Sequence, residues 1–254
     1  MPRSNLALVA PDCSEQQRVP ELSLVVPAYD EEESLDALYA QVQKALGDTL
    51  PWELIIVDDG SRDGTSRVIR ELARNDVRVR GASLACNSGQ TAATHVGIEM
   101  ARGTLIATLD ADLQNDPADL VGMIKALGDA DAVVGYRVVR HDSWLRRVSS
   151  RIGNGVRNRL SGDGIRDTGC SLKVFRASAI TSVPLFEGMH RFLPTLLRFH
   201  GFSVIEFPVS HRPRVAGKSK YGVLNRAWVG FKDLLAVRWM RQRIIRPQVQ
   251  GLTE

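Results

Sequence analysis

The chain has 254 residues, 44% of them hydrophobic and 24% charged, with a net charge of +4 at pH 7. That is enough chain to bury a sizeable core, and the composition is too ordinary for a disordered, collagenous or disulfide-rich protein. The small net charge hides an asymmetry: residues 1–135 carry 11 Lys and Arg against 22 Asp and Glu, whereas residues 136–254 carry 22 against 7. An acidic half suits a cation, and a basic half suits phosphates, acidic lipid headgroups or nucleic acid. Cys13, Cys86 and Cys170 lie far apart with no metal-ligand spacing, so free thiols in a reducing compartment are expected. No signal peptide is expected, because the apolar stretch Leu6 to Ala10 is short and runs into Pro11-Asp12. No run of about 18 apolar residues predicts a membrane-spanning helix.

Residues 1–20 read as a loose polar tail. Glu21 to Pro27 is a first predicted strand, followed by the acidic loop Ala28 to Glu33 and a helix stopping at Gly47. Trp52 to Val57 is a second strand ending in Asp58-Asp59-Gly60-Ser61, with a helix from Thr65 to about Arg74. Val77 to Leu84 is a third strand, and Asn87-Ser88-Gly89-Gln90-Thr91 opens a helix to about Ala101. Leu105 to Leu109 is a fourth strand, with Asp116 expected as the N-cap and Pro117 as the first residue of the next helix. Strand, polar loop and helix, repeated four times, predict an α/β fold with a mostly parallel sheet. Ligands of such sheets sit outside the carboxyl ends of the strands, where the four polar clusters fall. No GxGxxG follows the first strand and no GxxxxGK[ST] is present, which weakens dinucleotide and P-loop readings.

The stretch TLIATLDADLQNDP, Thr104 to Pro117, carries the clearest chemistry. In an extended chain residues two apart share a side, so Asp110 and Asp112 can aim both carboxylates past the strand end. Two hard oxygen donors there suit Mg²⁺ or Mn²⁺, with the Gln114 amide as a third ligand; the plainer alternative is that they cap a turn.

LSLVVPAYDEEESL, LIIVDDGSRDGT, NSGQTAATHVGIEMARG and TLDADLQNDP, in this order, resemble the nucleotide-sugar-binding half of glycosyltransferase family 2. Within it the chain is similar to dolichol-phosphate mannose synthases and bacterial polyprenyl-phosphate glycosyltransferases, from about Leu22 to Trp239. The resemblance implies a GT-A fold: residues 21–221 as catalytic domain, with 21–135 for the nucleotide sugar and 136–221 for the acceptor. It implies that Pro27, Tyr29, Glu31 and Asp58 hold the base and ribose. Asp110, Asp112 and Gln114 are then expected to hold the Mg²⁺ or Mn²⁺ on the diphosphate.

In the second half, Asp131 to Tyr136 is a fifth predicted strand, and a basic helix from about Trp144 to Leu160 puts Arg147 and Arg151 on one face. Arginine grips phosphate through paired donors, and in the resembled synthases the positions of Arg137 and Arg151 bind the lipid phosphate; a solvated basic helix is the alternative. Asp167 either contacts the sugar or caps its turn, and Cys170 stands where the family has an aromatic, which is expected to reshape the sugar pocket. A strand Leu172 to Phe175, a helix from His190-Arg191 to Phe199 and a strand Phe202 to Val209 follow. The basic segment His211 to Tyr221 resembles the family's active-site loop. Asp112, Arg137, Arg151, Arg214 and Lys218 are the expected catalytic residues, with Arg147, Arg212 and Lys220 also gripping the acceptor phosphate. A last helix from Gly222 to Ile245, within 222–254, mixes Arg with Trp228 and Trp239 and reads as interfacial on an acidic membrane or as core packing.

The resemblance implies an inverting, metal-dependent transfer from a nucleotide-diphospho-sugar, GDP-mannose or a UDP-sugar, to a polyprenyl or dolichyl phosphate. The expected location is peripheral, on the cytoplasmic face of a membrane, on the lipid surface or with an integral membrane partner. A phosphate acceptor is already anionic and needs no general base, which fits a second half with seven acids. The alternatives are a hydroxyl acceptor or a non-catalytic binding subunit. No nucleic-acid motif is present, and a homo-oligomer is left open.

Overall fold

The computed structural model describes residues 19–138, 162, 164–183, 186–212 and 223–244, the side chains of 223–229 and 231 excepted. The expected basic helix with Arg147 and Arg151, and the segment with Arg214, Lys218 and Lys220, lie outside the described residues, as does most of the tail.

Strands β1 (Leu22–Ala28), β2 (Trp52–Asp58), β3 (Val79–Ser83), β4 (Leu105–Thr108), β5 (Ala132–Arg137), β6 (Lys173–Arg176) and β7 (Val204–Val209) form one sheet in the order β3-β2-β1-β4-β6-β5-β7. The first four pair in parallel, with helices α1 (Leu35–Leu46), α2 (Thr65–Asn75) and α3 (Gln90–Met100) as crossovers. Their β-branched, apolar runs suit strands covered on both faces. Leu22, Leu24 and Val26 alternate with Val25, and Leu54 and Ile56 with Ile55 and Val57, between clusters on opposite faces. On one face lie α1, α2 and α4 (Asp119–Leu127); on the other lie α3, the helix Leu193–Phe199 and the C-terminal helix Val223–Arg243. Helix α3 comes so close to β1 that a Cβ on Gly97 would sit 2.3 Å from Val25 Cγ1, which only glycine tolerates.

One strand breaks the parallel pattern. β6 is inserted between β4 and β5 and runs antiparallel to both, with Thr108 opposite Lys173. Its first residue therefore lies beside the carboxyl end of β4, at the edge where the parallel strands present their polar loops.

Two local expectations change. Helix α4 begins at Asp119, not at Pro117. Asp116 instead closes the turn before it, its carboxylate accepting from the Ala118 N–H at 3.1 Å and its carbonyl from the Asp119 N–H at 3.1 Å. His190 and Arg191 end a 3₁₀ turn, Met189–Arg191, and the α-helix starts only at Leu193, with Pro194 in its first turn.

Candidate active site

At the carboxyl edge a cavity of about 270 Å³ opens between the end of β4, the start of α3, the segment before β6 and the 3₁₀ turn. Pro27 and Asp110 line it. The Asp110 Oδ1 accepts from the Gln90 side chain at 2.8 Å, so the first residue of α3 holds it.

β4 stops at Thr108, and residues 111–113 turn, with Leu113 at φ +61°. Asp110 and Asp112 are thus not related by strand alternation, and the extended-chain argument for them is corrected. Asp112 is 8% exposed, and its Oδ1 accepts from the Gln114 N–H at 3.2 Å. Among the described residues no group of three or more His, Cys, Asp or Glu is placed to hold a metal, so a cation here would rest on Asp110, Asp112 and non-carboxylate oxygens. Two carboxylates with oxygen donors from ligand and water suit Mg²⁺ or Mn²⁺ rather than zinc. The Gln114 carbonyl accepts from the Arg212 N–H at 2.8 Å, so the segment after β7 starts out tied to this loop.

The nucleotide-side candidates surround the ends of β1 and β2. Asp58 is buried; its carboxylate accepts from the Ser61 N–H at 2.9 Å, the Ser83 hydroxyl at 3.0 Å and the Ser66 hydroxyl. Burial raises its pKa, but the bonds from Ser61, Ser66 and Ser83 outweigh this and hold it below the usual carboxylate range. Asp59, also buried, accepts from the Ser88 N–H at 2.7 Å and the Gly89 N–H at 2.9 Å; burial dominates and pushes it up. Tyr29 is half-buried at the end of β1. Glu31 donates its N–H to the Thr65 hydroxyl at 2.8 Å and accepts from the Ser34 hydroxyl at 2.9 Å. Between them Asp30 has φ +50°, a left-handed backbone uncommon outside glycine.

The acceptor-side candidates are engaged within the protein. Arg137 grips Asp167 through two bonds, Nε to Oδ2 at 2.7 Å and Nη2 to Oδ1 at 2.9 Å. Asp167 thus pairs with the arginine expected to bind phosphate. Arg212 bonds Asp116 and, at 2.9 Å, Gln41. Cys170 is 1% exposed and packs in the core, its thiol pushed up by burial, while its neighbours Gly169 and Ser171 line the cavity. The expected reshaping of the pocket by Cys170 is therefore not direct.

Among the cavity residues that sequence reasoning missed are Lys173 and His190. Lys173 is 4% exposed, and burial lowers its pKa. The His190 Nδ1 lies 2.7 Å from the Thr91 hydroxyl, which also accepts from the Gly188 N–H at 3.0 Å. This network has Thr91 donate to a neutral imidazole. Burial, with Arg191 and Lys173 nearby, lowers His190 to about 3, so it is a weak base at neutral pH. No local motif marks either residue; the signal lies in the antiparallel direction of β6 and in the turn at Gly188.

A sheet with polar crossover loops gathered over a carboxylate-bearing strand end is the GT-A fold of nucleotide-sugar glycosyltransferases. The chain belongs to glycosyl transferase family 2, whose family model matches residues 23–183. It is 42% identical over 235 residues to dodecaprenyl-phosphate galacturonate synthase of Rhizobium johnstonii, covering 89% of this chain and 69% of that protein. It is 38% identical over 208 residues to undecaprenyl-phosphate 4-deoxy-4-formamido-L-arabinose transferase of Edwardsiella ictaluri, covering 80% of this chain and 64% of that one. The chain thus spans about two thirds of these curated relatives' length. Among solved structures it is similar to glucosyl-3-phosphoglycerate synthase of Mycobacterium tuberculosis in complex with Mn²⁺, UDP-glucose and phosphoglyceric acid. There the TM-score is 0.65 at 19% identity, over 92% of this chain and 84% of that one, a likeness of fold.

Proposed function

We propose that this chain transfers a sugar, with inversion, from a nucleotide-diphospho-sugar to a polyprenyl phosphate on the cytoplasmic face of a membrane. The observation that carries the reading is the cavity beside Asp110, together with relatives whose names specify polyprenyl-phosphate acceptors. Pro27, Tyr29, Glu31 and Asp58 would receive the nucleoside; Asp110, Asp112 and Gln114 would hold Mg²⁺ or Mn²⁺, which when bound stabilises charge on the leaving diphosphate. Arg137 and Arg212, with Arg147, Arg151, Arg214, Lys218 and Lys220, would position the lipid phosphate. For Arg137 this requires sharing or exchanging the carboxylate of Asp167. A lipid phosphate brings its own negative charge, so a weakly basic His190 is no obstacle to attack on the anomeric carbon.

Residues 21–221 are proposed as the catalytic domain and 222–254 as an interfacial segment. No helix among the described residues is long and apolar enough to cross a membrane. The C-terminal helix buries Leu234 and Val237 while Leu235 and Trp239 stand 45% and 58% exposed, with the Arg243 guanidinium over the Trp239 ring. Exposed tryptophan and leucine among cations suit the headgroup region of an anionic bilayer.

The test is a transfer assay with Mn²⁺ or Mg²⁺, UDP- and GDP-sugars and a short polyprenyl phosphate, with and without chelator. Metal-dependent lipid-linked sugar is expected. Turnover only with a hydroxyl acceptor would overturn the phosphate-acceptor reading.

A further inference from the structure

We infer that the cavity selects a donor sugar bearing a carboxylate, with Lys173 as the specificity-determining contact and Arg191 as its second cation; this rests on the nucleotide-sugar reading above. Lys173 faces the cavity, yet among the described residues its ammonium makes one hydrogen bond, a long one of 3.4 Å to the His190 carbonyl, and no salt bridge. An ammonium offers three donors, and burying one with a single long bond is unfavourable. The carboxylates near it are engaged elsewhere, Asp167 by Arg137 and Asp110 by Gln90. Arg191 also lines the cavity and has no salt bridge among the described residues, though Asp233 lies within electrostatic range. Lys173 and Arg191 thus face a cavity whose lining carboxylate, Asp110, acts on Lys173 through space and takes its hydrogen bond from Gln90.

The remaining lining says what kind of anion fits. Thr94, Thr168 and Ser171 line the cavity with hydroxyl-bearing side chains, Leu109 and Leu193 with apolar surface, and about 270 Å³ is the scale of a small polar ligand. Hydroxyl-rich walls with an apolar patch match a sugar ring, and cations at the wall of such a space match an acidic group on the ring. The diphosphate would meet the cation that Asp110 and Asp112 are proposed to hold, which leaves Lys173 for the sugar. The two sets of relatives divide on this feature: one is named for galacturonate, the other for a formamido-arabinose, which has no carboxylate. Lys173 and Arg191 favour the first chemistry.

Donor binding without acceptor tests this directly. The full chain with Mn²⁺ is titrated calorimetrically with matched pairs: UDP-galacturonate against UDP-galactose, UDP-glucuronate against UDP-glucose, GDP-mannuronate against GDP-mannose. One uronate should bind at least tenfold more tightly than its neutral partner. Lys173→Met should bring that ratio near one while UDP or GDP alone binds within about twofold of wild type, and Lys173→Arg should keep most of the preference. Equal or tighter binding of every neutral partner by the wild type overturns the inference, whether or not the variants fold. So does a Lys173→Met loss as large for the nucleoside diphosphate as for the uronate, which places Lys173 on the diphosphate. If uronate preference holds but no lipid product forms, the acceptor reading fails and the donor inference stands.

Discussion

Asp58 and Asp59, at the end of β2, and Lys173, at the start of β6, are buried charges on the same sheet edge, and their surroundings differ. The two carboxylates receive bonds from Ser61, Ser66, Ser83, Ser88 and Gly89. Lys173 donates one long bond to the His190 carbonyl. A carboxylate whose lone pairs are filled by its own chain shapes loops and fixes helix starts; a cation left with spare donors waits for a partner. The parallel side of the sheet, the frame, thus holds its own carboxylates in place, and the side around β6 and the Gly188 turn, the receiving side, keeps spare donors for a ligand.

The largest effect should come where frame and ligand meet. Asp112→Ala removes a proposed metal donor from the frame side and should reduce transfer by about 10²–10³-fold, the equivalent of roughly 3–4 kcal/mol of transition-state stabilisation. Circular dichroism and melting should stay near wild type, and calorimetric titration with Mn²⁺ and UDP should show weakened binding. Unchanged turnover would place the metal elsewhere.

Asp167→Ala comes next. It strips Arg137 of a bidentate partner whose own side chain is 6% exposed against 23% for the arginine. Breaking a well-buried pair costs about 3–5 kcal/mol, and the partial exposure of Arg137 places this one at about 2–3 kcal/mol in urea unfolding. If Arg137 leaves Asp167 to meet the lipid phosphate during turnover, the milder Asp167→Asn should change the KM for the lipid acceptor more than that for the donor. Equal changes would make the pair a structural tie.

What the sequence displays and what it hides follow the same division. β1, β2 and β4 are legible because runs such as Leu-Ile-Ile-Val end abruptly in Asp or Pro, and parallel strands buried on both faces need such runs. The Asp110–Asp112 motif is legible as residue types, but not its geometry, because nothing local signals that Leu113 turns with positive φ. Lys173 is hidden for a topological reason. In Lys-Val-Phe-Arg it reads as the polar start of a strand, and only an antiparallel insertion between β4 and β5 sets it opposite Thr108. His190 is hidden because its role depends on Thr91, 99 residues away in sequence.

His190 gives a pH test of the receiving side. Its folded pKa, about 3, lies below the ordinary histidine value of 6.5. Between these values the unfolded chain takes a proton that the folded chain refuses, so stability falls as pH drops from about 6.5 towards 3. His190→Gln, which keeps a neutral polar group near Thr91, should flatten that part of the urea-unfolding profile relative to wild type. Asp58, with its depressed pKa, works on a lower window: its contribution is present above the ordinary value of 3.8 and is lost as pH falls through its folded pKa. Persistence of the full slope between 6.5 and 4 in His190→Gln would mean that His190 is not the group held neutral.

The smallest effect tests how stiff the frame is. Gly89, just before α3, has φ +91° and ψ 156°, a region open essentially to glycine, and a Cβ there would meet nothing within 4 Å. Gly89→Ala therefore adds backbone strain without a clash, with an expected cost of about 1–2 kcal/mol in urea unfolding. The outcome depends on Asp59, which clasps the Ser88 and Gly89 amides, and bears on Gln90, the next residue, which holds Asp110. If the clasp is firm, the strain stays in the loop: the full stability cost appears and nucleotide-sugar affinity changes less than about threefold. If the clasp yields, the loop relaxes, the stability cost shrinks, and Gln90 is pulled from Asp110 with a larger loss of donor affinity. The second result would mean that the frame gives way at α3 and that rigidity at the carboxylates has to come from the bound donor.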